Sequence, residues 1–213
     1  MSHADNGRGR RYGGLDSVER ARQRRAALLE AGRTLFGTQG YRATSVHQLC
    51  TEAGLTKRYF YESFGDREAA LAAVYDELIG GLRTATLDAV AQHDQVDTIA
   101  EAALTAFVDY LTTDHRRAQI VLIEVVGVSP EMETRRHAVL TEFAELVVGV
   151  WLRGGEATSL RRHTAVALVG GVNHLLVDWL LSGKTQQPAE LVRACATLFT
   201  GARDQFAQGA GQP

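Results

Sequence analysis

From Val18 to about Thr38 the apolar residues Leu28, Ala31, Leu35 and Phe36 recur at helical spacings, while Arg22, Arg25 and Arg33 fall on other faces. That spacing predicts an amphipathic helix, with Ser17 as its N-cap and Gly40 as the left-handed residue that stops it. Thr44 is the next N-cap candidate and opens a short helix through Val46, Leu49 and Cys50 to about Glu52, with Gly54 as the turn residue. A third short helix follows Thr56 and runs Lys57-Arg58-Tyr59-Phe60-Tyr61-Glu62-Ser63-Phe64, placing Phe60 and Phe64 four apart on one face. Gly65-Asp66 ends it, and Asp66 can cap a long fourth helix through Leu71, Val74, Leu78 and Leu82 to about Ala91.

Helix then follows helix, with breaks at His93–Gln95, Thr113–His115, Gly127–Pro130, Gly154–Ala157 and Ser182–Pro188. No run shows sustained period-two alternation bounded by turns. The β-branched patch Ile120-Val121-Leu122-Ile123 has flanks that let it read as part of a buried helix. The expected fold class is all-α.

Charge changes this picture because it is unevenly placed. The whole chain of 213 residues carries a formal net charge of −2, but residues 1–67 hold 12 Lys and Arg against 7 Asp and Glu, a net of +5. The remaining residues hold 11 against 18, a net of −7. Arginines concentrate at Arg8, Arg10, Arg11, Arg20, Arg22, Arg24 and Arg25, and such a cluster attracts a phosphate backbone through charge and counterion release. Residues 1–17, rich in Gly and Arg and without apolar periodicity, are expected to be a disordered basic arm. With 45% hydrophobic and 23% charged residues and only three prolines, the rest is long enough to bury a core. The most apolar stretch, Ala165 to Leu181, is interrupted by Asn173, His174 and Asp178, and the N-terminus lacks an apolar segment behind its arginines. A membrane span and a secretory signal are therefore not expected, and the expected location is the cytoplasm. Cys50 and Cys195 lie too far apart for a close-spaced motif and read as buried free thiols.

A short helix, a glycine turn and a second short helix rich in Lys, Arg and Tyr form the pattern of a helix-turn-helix DNA reader. Leu49, Leu55, Phe60 and Phe64 must pack inward to hold the second helix. At about 100° per residue, this leaves Arg58 and Tyr61 on the far side, Tyr59 flanking them, and Lys57 reaching out from the first turn. Lys57 and Arg58 can donate to guanine O6 and N7, Tyr59 can meet a base edge or a thymine methyl, and Tyr61 suits a phosphate oxygen. Thr44 and Thr56, as N-caps, would place helix N-termini where phosphates can be held.

The stretch from Arg25 to Val74, RRAALLEAGRTLFGTQGYRATSVHQLCTEAGLTKRYFYESFGDREAALAAV, resembles the N-terminal domain of TetR-type transcriptional repressors. The matching features are Ala31, Leu35, Phe36, Gly40 and Tyr41 ahead of the pair Thr44-Ser45, then Ala53-Gly54-Leu55, Tyr61 with Phe64, and Arg67-Glu68. The resemblance implies phosphate contacts at Thr44, Tyr61 and Arg67 and base reading at Lys57, Arg58 and Tyr59. Arg67 stands where many members have Lys, and Arg58-Tyr59 replace a common Gly-Thr pair, so the operator sequence cannot be borrowed from relatives.

The resemblance divides the chain into the arm at 1–17, a helix-turn-helix domain at 18–67 and a helical effector-binding and dimerisation domain at 68–213. Ala167–Gly183 (ALVGGVNHLLVDWLLSG) resembles the family's penultimate helix, which with the stripe Leu191, Ala194, Cys195, Leu198, Phe199 and Ala202 implies a homodimer through a four-helix bundle. Two recognition helices about one DNA turn apart then imply a palindromic double-stranded operator. Phe107, Tyr110, Glu124, Phe143, Val147 and Trp151 could line an effector pocket, and so could Asn173, His174 and Asp178, although core packing and intrahelical bonding select the same residues.

The reading is a homodimeric repressor released from DNA by a small-molecule inducer of hydrophobic character, with no cofactor and no metal. An activator, or an architectural DNA-binding protein without effector, would share the fold. An enzyme is the remaining rival: no phosphate loop, nucleophile elbow or paired metal motif occurs, and His174/Asp178 is the single constellation worth assaying.

Overall fold

The computed structural model describes residues 9–151 and 158–209; the side chains of residues 9–15, 97, 150–151 and 207–209 lie outside that description. So do Arg8 and the break at Gly154–Ala157. Among the described residues the secondary structure is helical throughout, as the periodicity requires, and falls into two compact units, one ending at Val74 and the other beginning at Tyr75.

The first unit holds α1 (Gly9–Thr38), α2 (Val46–Glu52), α3 (Lys57–Ser63) and the opening turns of α4 (Arg67–Ala91). Leu28, Ala31, Leu35 and Phe36 turn one face of α1 onto α2 and α3, where Leu49, Cys50, Phe60 and Phe64 complete the core with Leu71 and Val74. Phe36 and Phe60 are fully buried; removing apolar surface of that size from water contributes about 1.5–3 kcal/mol per side chain. Gly40, at φ +89°, ends α1 as expected, and its N–H donates to the Leu35 carbonyl at 3.2 Å.

Two expectations about helix starts are corrected. α1 begins at Gly9, not after Ser17, so the segment from Gly9 to Ser17 is helical rather than a disordered arm. Asp16 and Arg20 pair across one turn at 3.0 Å, which joins the helix across the expected boundary. At α2 the N-cap is Ser45, not Thr44. Ser45 Oγ accepts from the Gln48 N–H at 3.2 Å, and Gln48 Oε1 accepts from the Ser45 N–H at 2.8 Å, a reciprocal capping box.

The second unit contains the rest of α4 together with α5 (Val96–Thr113), α6 (His115–Ala118), α7 (Pro130–Trp151), α8 (Ser159–Leu181) and α9 (Pro188–Gly209). The patch around Ile120 is helical as expected, but Gln119–Glu124 is wound as a π-helix running on from α6. α7 packs along α8, and α5 along α9. At the α7–α8 seam, Ala144, Val148 and Ala165 are buried, with Val147 and Val169 packed against them. Arg83 Nη2 donates to Glu142 Oε2 at 2.7 Å and ties α4 to α7; the guanidinium holds the Glu142 carboxyl below its ordinary range.

Among the described residues α8 alone is long and apolar enough by length and composition to cross a membrane. Here Ala165, Leu168, Val172, Leu176, Trp179 and Leu180 are its buried face. Cys50 and Cys195 are both buried and free, and burial pushes both thiols up.

Candidate nucleic-acid interface and ligand cavity

α3 is held from below by Phe60 and Phe64, whose rings lie 5.7 Å apart, and this leaves its other face outward. Gly54, at φ +64°, lets the chain reverse between α2 and α3, and the Leu55 N–H closes the turn on the Cys50 carbonyl at 2.8 Å. Thr56, Lys57 and Arg58 are exposed at the first turn of α3, and Tyr61 is 59% exposed one turn later. Thr56 is the N-cap of α3 by backbone conformation and its side chain makes no capping bond. A polar, cationic and aromatic surface is thereby presented at one helix N-terminus, as major-groove readout requires.

Two of the expected contacts sit differently. Tyr59 is half-buried, with the Arg24 guanidinium 4.4 Å above its ring, so α1 covers part of its face. Arg58 Nε donates to Glu62 Oε1 at 2.9 Å, and Arg24 stands 3.9 Å from the other oxygen of Glu62. Glu62 thus gathers two arginines at the edge of the reading surface, a role the sequence reading passed over.

Thr44 is a correction. It is fully buried, and its hydroxyl donates to the Gly40 carbonyl at 2.8 Å, so its side chain does not face outward to a phosphate. The exposed group at that helix N-terminus is Ser45. Arg67 donates from Nη1 to the Thr44 carbonyl at 2.7 Å and stacks 4.3 Å over the Tyr41 ring. It therefore braces the loop before α2.

Within the second unit an apolar cavity of roughly 120 Å³ is lined by Leu87, Leu104, Phe107, Phe143, Val172 and Phe199, among others. Its one hydroxyl, on Thr86, donates to the Leu82 carbonyl at 2.8 Å. A second, smaller cavity of roughly 30 Å³ shares Phe107, Phe143 and Val169 with it and is lined also by Tyr75, Arg136 and Asn173. The Phe107 and Phe143 rings meet edge to face at 5.2 Å. Tyr75 is 1% exposed, and burial pushes its hydroxyl up to about 12, so it stays protonated and able to donate.

Of the expected pocket residues, Phe107, Phe143 and Val147 line the larger cavity and Asn173 the smaller one. Tyr110 lines neither. It lies about 60° around α5 from Phe107; Arg117 sits 4.3 Å over its ring, and a Cβ at Gly81 would overlap its hydroxyl. Glu124 lines neither either, and accepts from Gln119 Nε2 at 2.7 Å across the π-helix. His174 and Asp178 are exposed on α8, since one residue beyond Asn173 the helix has turned about 100° away. The Trp151 side chain lies outside the described residues. The sequence reading missed Tyr75, Arg136 and Thr86 among the polar lining residues and most of the apolar lining, such as Leu87, Leu104 and Phe199.

The family model of bacterial regulatory proteins of the tetR family matches residues 28–74. The chain is 31% identical over 150 residues, 68% of its own length and 72% of the other's, to the HTH-type transcriptional repressor KstR2 of Rhodococcus jostii. In fold it is similar to the fatty acid degradation regulator FadR from Bacillus halodurans, with a TM-score of 0.74 at 17% identity, covering 84% of this chain and 95% of that one. It is also similar to the transcriptional regulator FadR from Bacillus subtilis solved in complex with stearoyl-CoA, with a TM-score of 0.73 at 14% identity, covering 82% and 96%. With the helix-turn-helix, the family match on the same residues and a repressor relative over two thirds of the chain, this protein belongs to the TetR family of transcriptional regulators.

Proposed function

We propose that this regulator is a homodimeric repressor which reads a palindromic operator through α3 and leaves it when an apolar small molecule occupies the second unit. The observation that carries the DNA-reading half is the exposed set Thr56, Lys57, Arg58 and Tyr61 on a helix anchored by Phe60. Lys57 and Arg58 donate to base edges, Tyr61 and the Ser45 N-cap meet phosphates, and Tyr59 lends its free edge beside Arg24. Arg67 acts through the loop it braces.

The effector half rests on the cavity of the second unit, whose lining offers an occupant almost only apolar contact. That feature favours an effector-responsive regulator over an architectural protein. The structural relative with stearoyl-CoA bound supports an apolar inducer class. α4 belongs to both units, carrying Arg67 at its start and cavity residues Thr86, Leu87 and Val90 further along. A ligand that fits only one arrangement of α4 therefore biases which arrangement is populated.

Dimerisation is proposed through α8 and α9. Leu160, Val166, Leu181 and Leu198 stay exposed in the single chain, and a Cβ at Gly170, Gly171 or Gly201 would meet nothing within 4 Å. A second copy would cover this apolar surface.

The test is operator affinity of single variants, measured on DNA fragments that the wild type retains. Lys57→Ala and Tyr61→Ala should each weaken binding by about 1–3 kcal/mol. Unchanged affinity in both would remove α3 as the reading surface.

A further inference from the structure

The basic charge of the chain's first third does not sit on the reading helix. Residues 1–25 hold seven Lys and Arg against three Asp and Glu, a net of +4. Residues 26–67, which contain α2, α3 and the packed part of α1, hold five against four, a net of +1. A helix-turn-helix so nearly neutral draws little affinity from counterion release, which scales with the number of phosphates neutralised. The surplus lies on the first half of α1 and ahead of it, and there the helix is built without a core. From Asp16 to Ala27 no residue is buried; burial begins at Leu28. Such a helix is held by pairs on its own surface: Asp16 with Arg20 at 3.0 Å, and Glu19 with Arg22 at 3.0 Å and Gln23 at 3.1 Å. Contacts with α3 fix which side of it meets the reading surface. Arg24 lies 4.4 Å over the Tyr59 ring and 3.9 Å from the Glu62 carboxylate, and Arg25 lies 4.6 Å over the Phe64 ring. Arg20, four residues earlier, falls within about 40° of Arg24 and about 6 Å further along the axis, whereas Arg22 falls about 160° away, on the opposite face.

We propose that the first half of α1 is a second DNA-binding element: a cationic strip, led by Arg20 and continuous with Arg24, that lies along the sugar-phosphate backbone beside the bases α3 reads. This rests on the reading of α3 as the recognition helix. Duplex DNA carries one negative charge per about 1.7 Å of its axis, so a guanidinium one helical turn beyond Arg24 still has a phosphate within reach. The strip supplies affinity without sequence preference, and α3 supplies the sequence. In the free protein Asp16 holds Arg20 as Glu62 holds Arg58, and exposed pairs of this kind cost little to open. Only one face of the helix takes part. With its side chains a helix is about 10–12 Å across, more than the screening length of about 8 Å at 0.15 M salt, so Arg22 on the far face contributes little.

The experiment measures fluorescence anisotropy of the full-length protein across a salt series, on a DNA fragment the wild type retains and on a scrambled duplex of equal length. Arg20→Gln should weaken binding about fivefold per bound subunit at 0.15 M salt, equally on both duplexes, and flatten the dependence of log K on log salt by about one per subunit. Arg20→Lys keeps the charge and should restore both. Arg22→Gln also deletes one arginine and leaves one carboxylate unpaired, yet should change neither. Asp16→Asn, which frees Arg20 without touching it, should raise affinity on both duplexes; no loss of helix can imitate that sign. Equal losses from Arg20→Gln and Arg22→Gln would mean diffuse attraction and overturn the strip. So would an Arg20→Gln variant that binds as the wild type does, or a fall in affinity from Asp16→Asn. If Lys57→Ala weakens binding in the same series while Arg20→Gln does not, α3 stands as the reader and the strip alone is wrong. If Lys57→Ala and Tyr61→Ala both bind unchanged, α3 is lost as the reader and the placement of the strip beside it falls too.

Discussion

Glu62 sets how freely the reading surface can meet DNA. Its carboxylate receives Arg58 at 2.9 Å and has Arg24 at 3.9 Å, so one acidic side chain holds two of the arginines that would otherwise face phosphates or bases. Arg58 is 83% exposed in that pair, and an exposed ion pair of this kind contributes little to stability. In the proposed complex its cost to DNA binding is larger, because a negative charge would remain beside the backbone and Arg58 would have to leave it to reach a base. Glu62→Gln should raise affinity for a retained DNA fragment several-fold and steepen the dependence of log K on log salt by about one. Fluorescence anisotropy across a salt series reads both. A fall in affinity would mean that Glu62 holds Arg58 in its reading position. None of this was legible in the sequence beforehand: the pairing partner of Arg58 depends on which rotamer α1 leaves open, and Arg24 lies on α1 by virtue of tertiary packing.

The elements were largely legible because their cause is local. Phe60 and Phe64 four apart, Gly40 and Gly54 in turns, and Asp66 accepting from the Ala69 N–H at 2.7 Å are each visible as residue type and spacing. What failed was the choice between neighbours of equal propensity. Thr44 and Ser45 are both good caps, and the decision came from burial: Thr44 is drawn into the core by its bond to Gly40, which leaves Ser45 outside to close the box with Gln48. Ser45→Ala should therefore destabilise the protein by about 1 kcal/mol, seen as a lower urea midpoint at unchanged slope. A midpoint equal to the wild type would return the cap to Thr44. The π-helix at Gln119–Glu124 was legible only as helix, since one extra residue per turn leaves no mark in an apolar run.

At the scale of the whole molecule, division of labour follows charge: the basic end carries the helix-turn-helix and the acidic remainder carries the cavities. The charge split after Arg67 falls near the start of α4, whereas the compact units part further along the same helix, between Val74 and Tyr75. Cavity residues were the least legible feature. An apolar stripe on α5, α7 or α8 predicts burial equally for a packed core and for a cavity wall, so Phe107 and Phe143 line a cavity while Tyr110 and Glu124, singled out with them, do not. Tyr75 and Arg136 share a cavity with Asn173 only through the packing of α4, α7 and α8, and no spacing in the chain connects them. The exposed apolar residues of α8 and α9 belong to this scale too: in the proposed dimer a second chain covers them and sets the spacing of two reading helices.

The central claim, sequence-specific reading by a dimer, is tested most directly by retaining fragments of genomic DNA on the purified protein at physiological salt and sequencing them. An enriched palindrome, with half-sites about one helical turn apart, is the result this account predicts. Retention without any enriched sequence would leave only attraction to the DNA backbone and would contradict it.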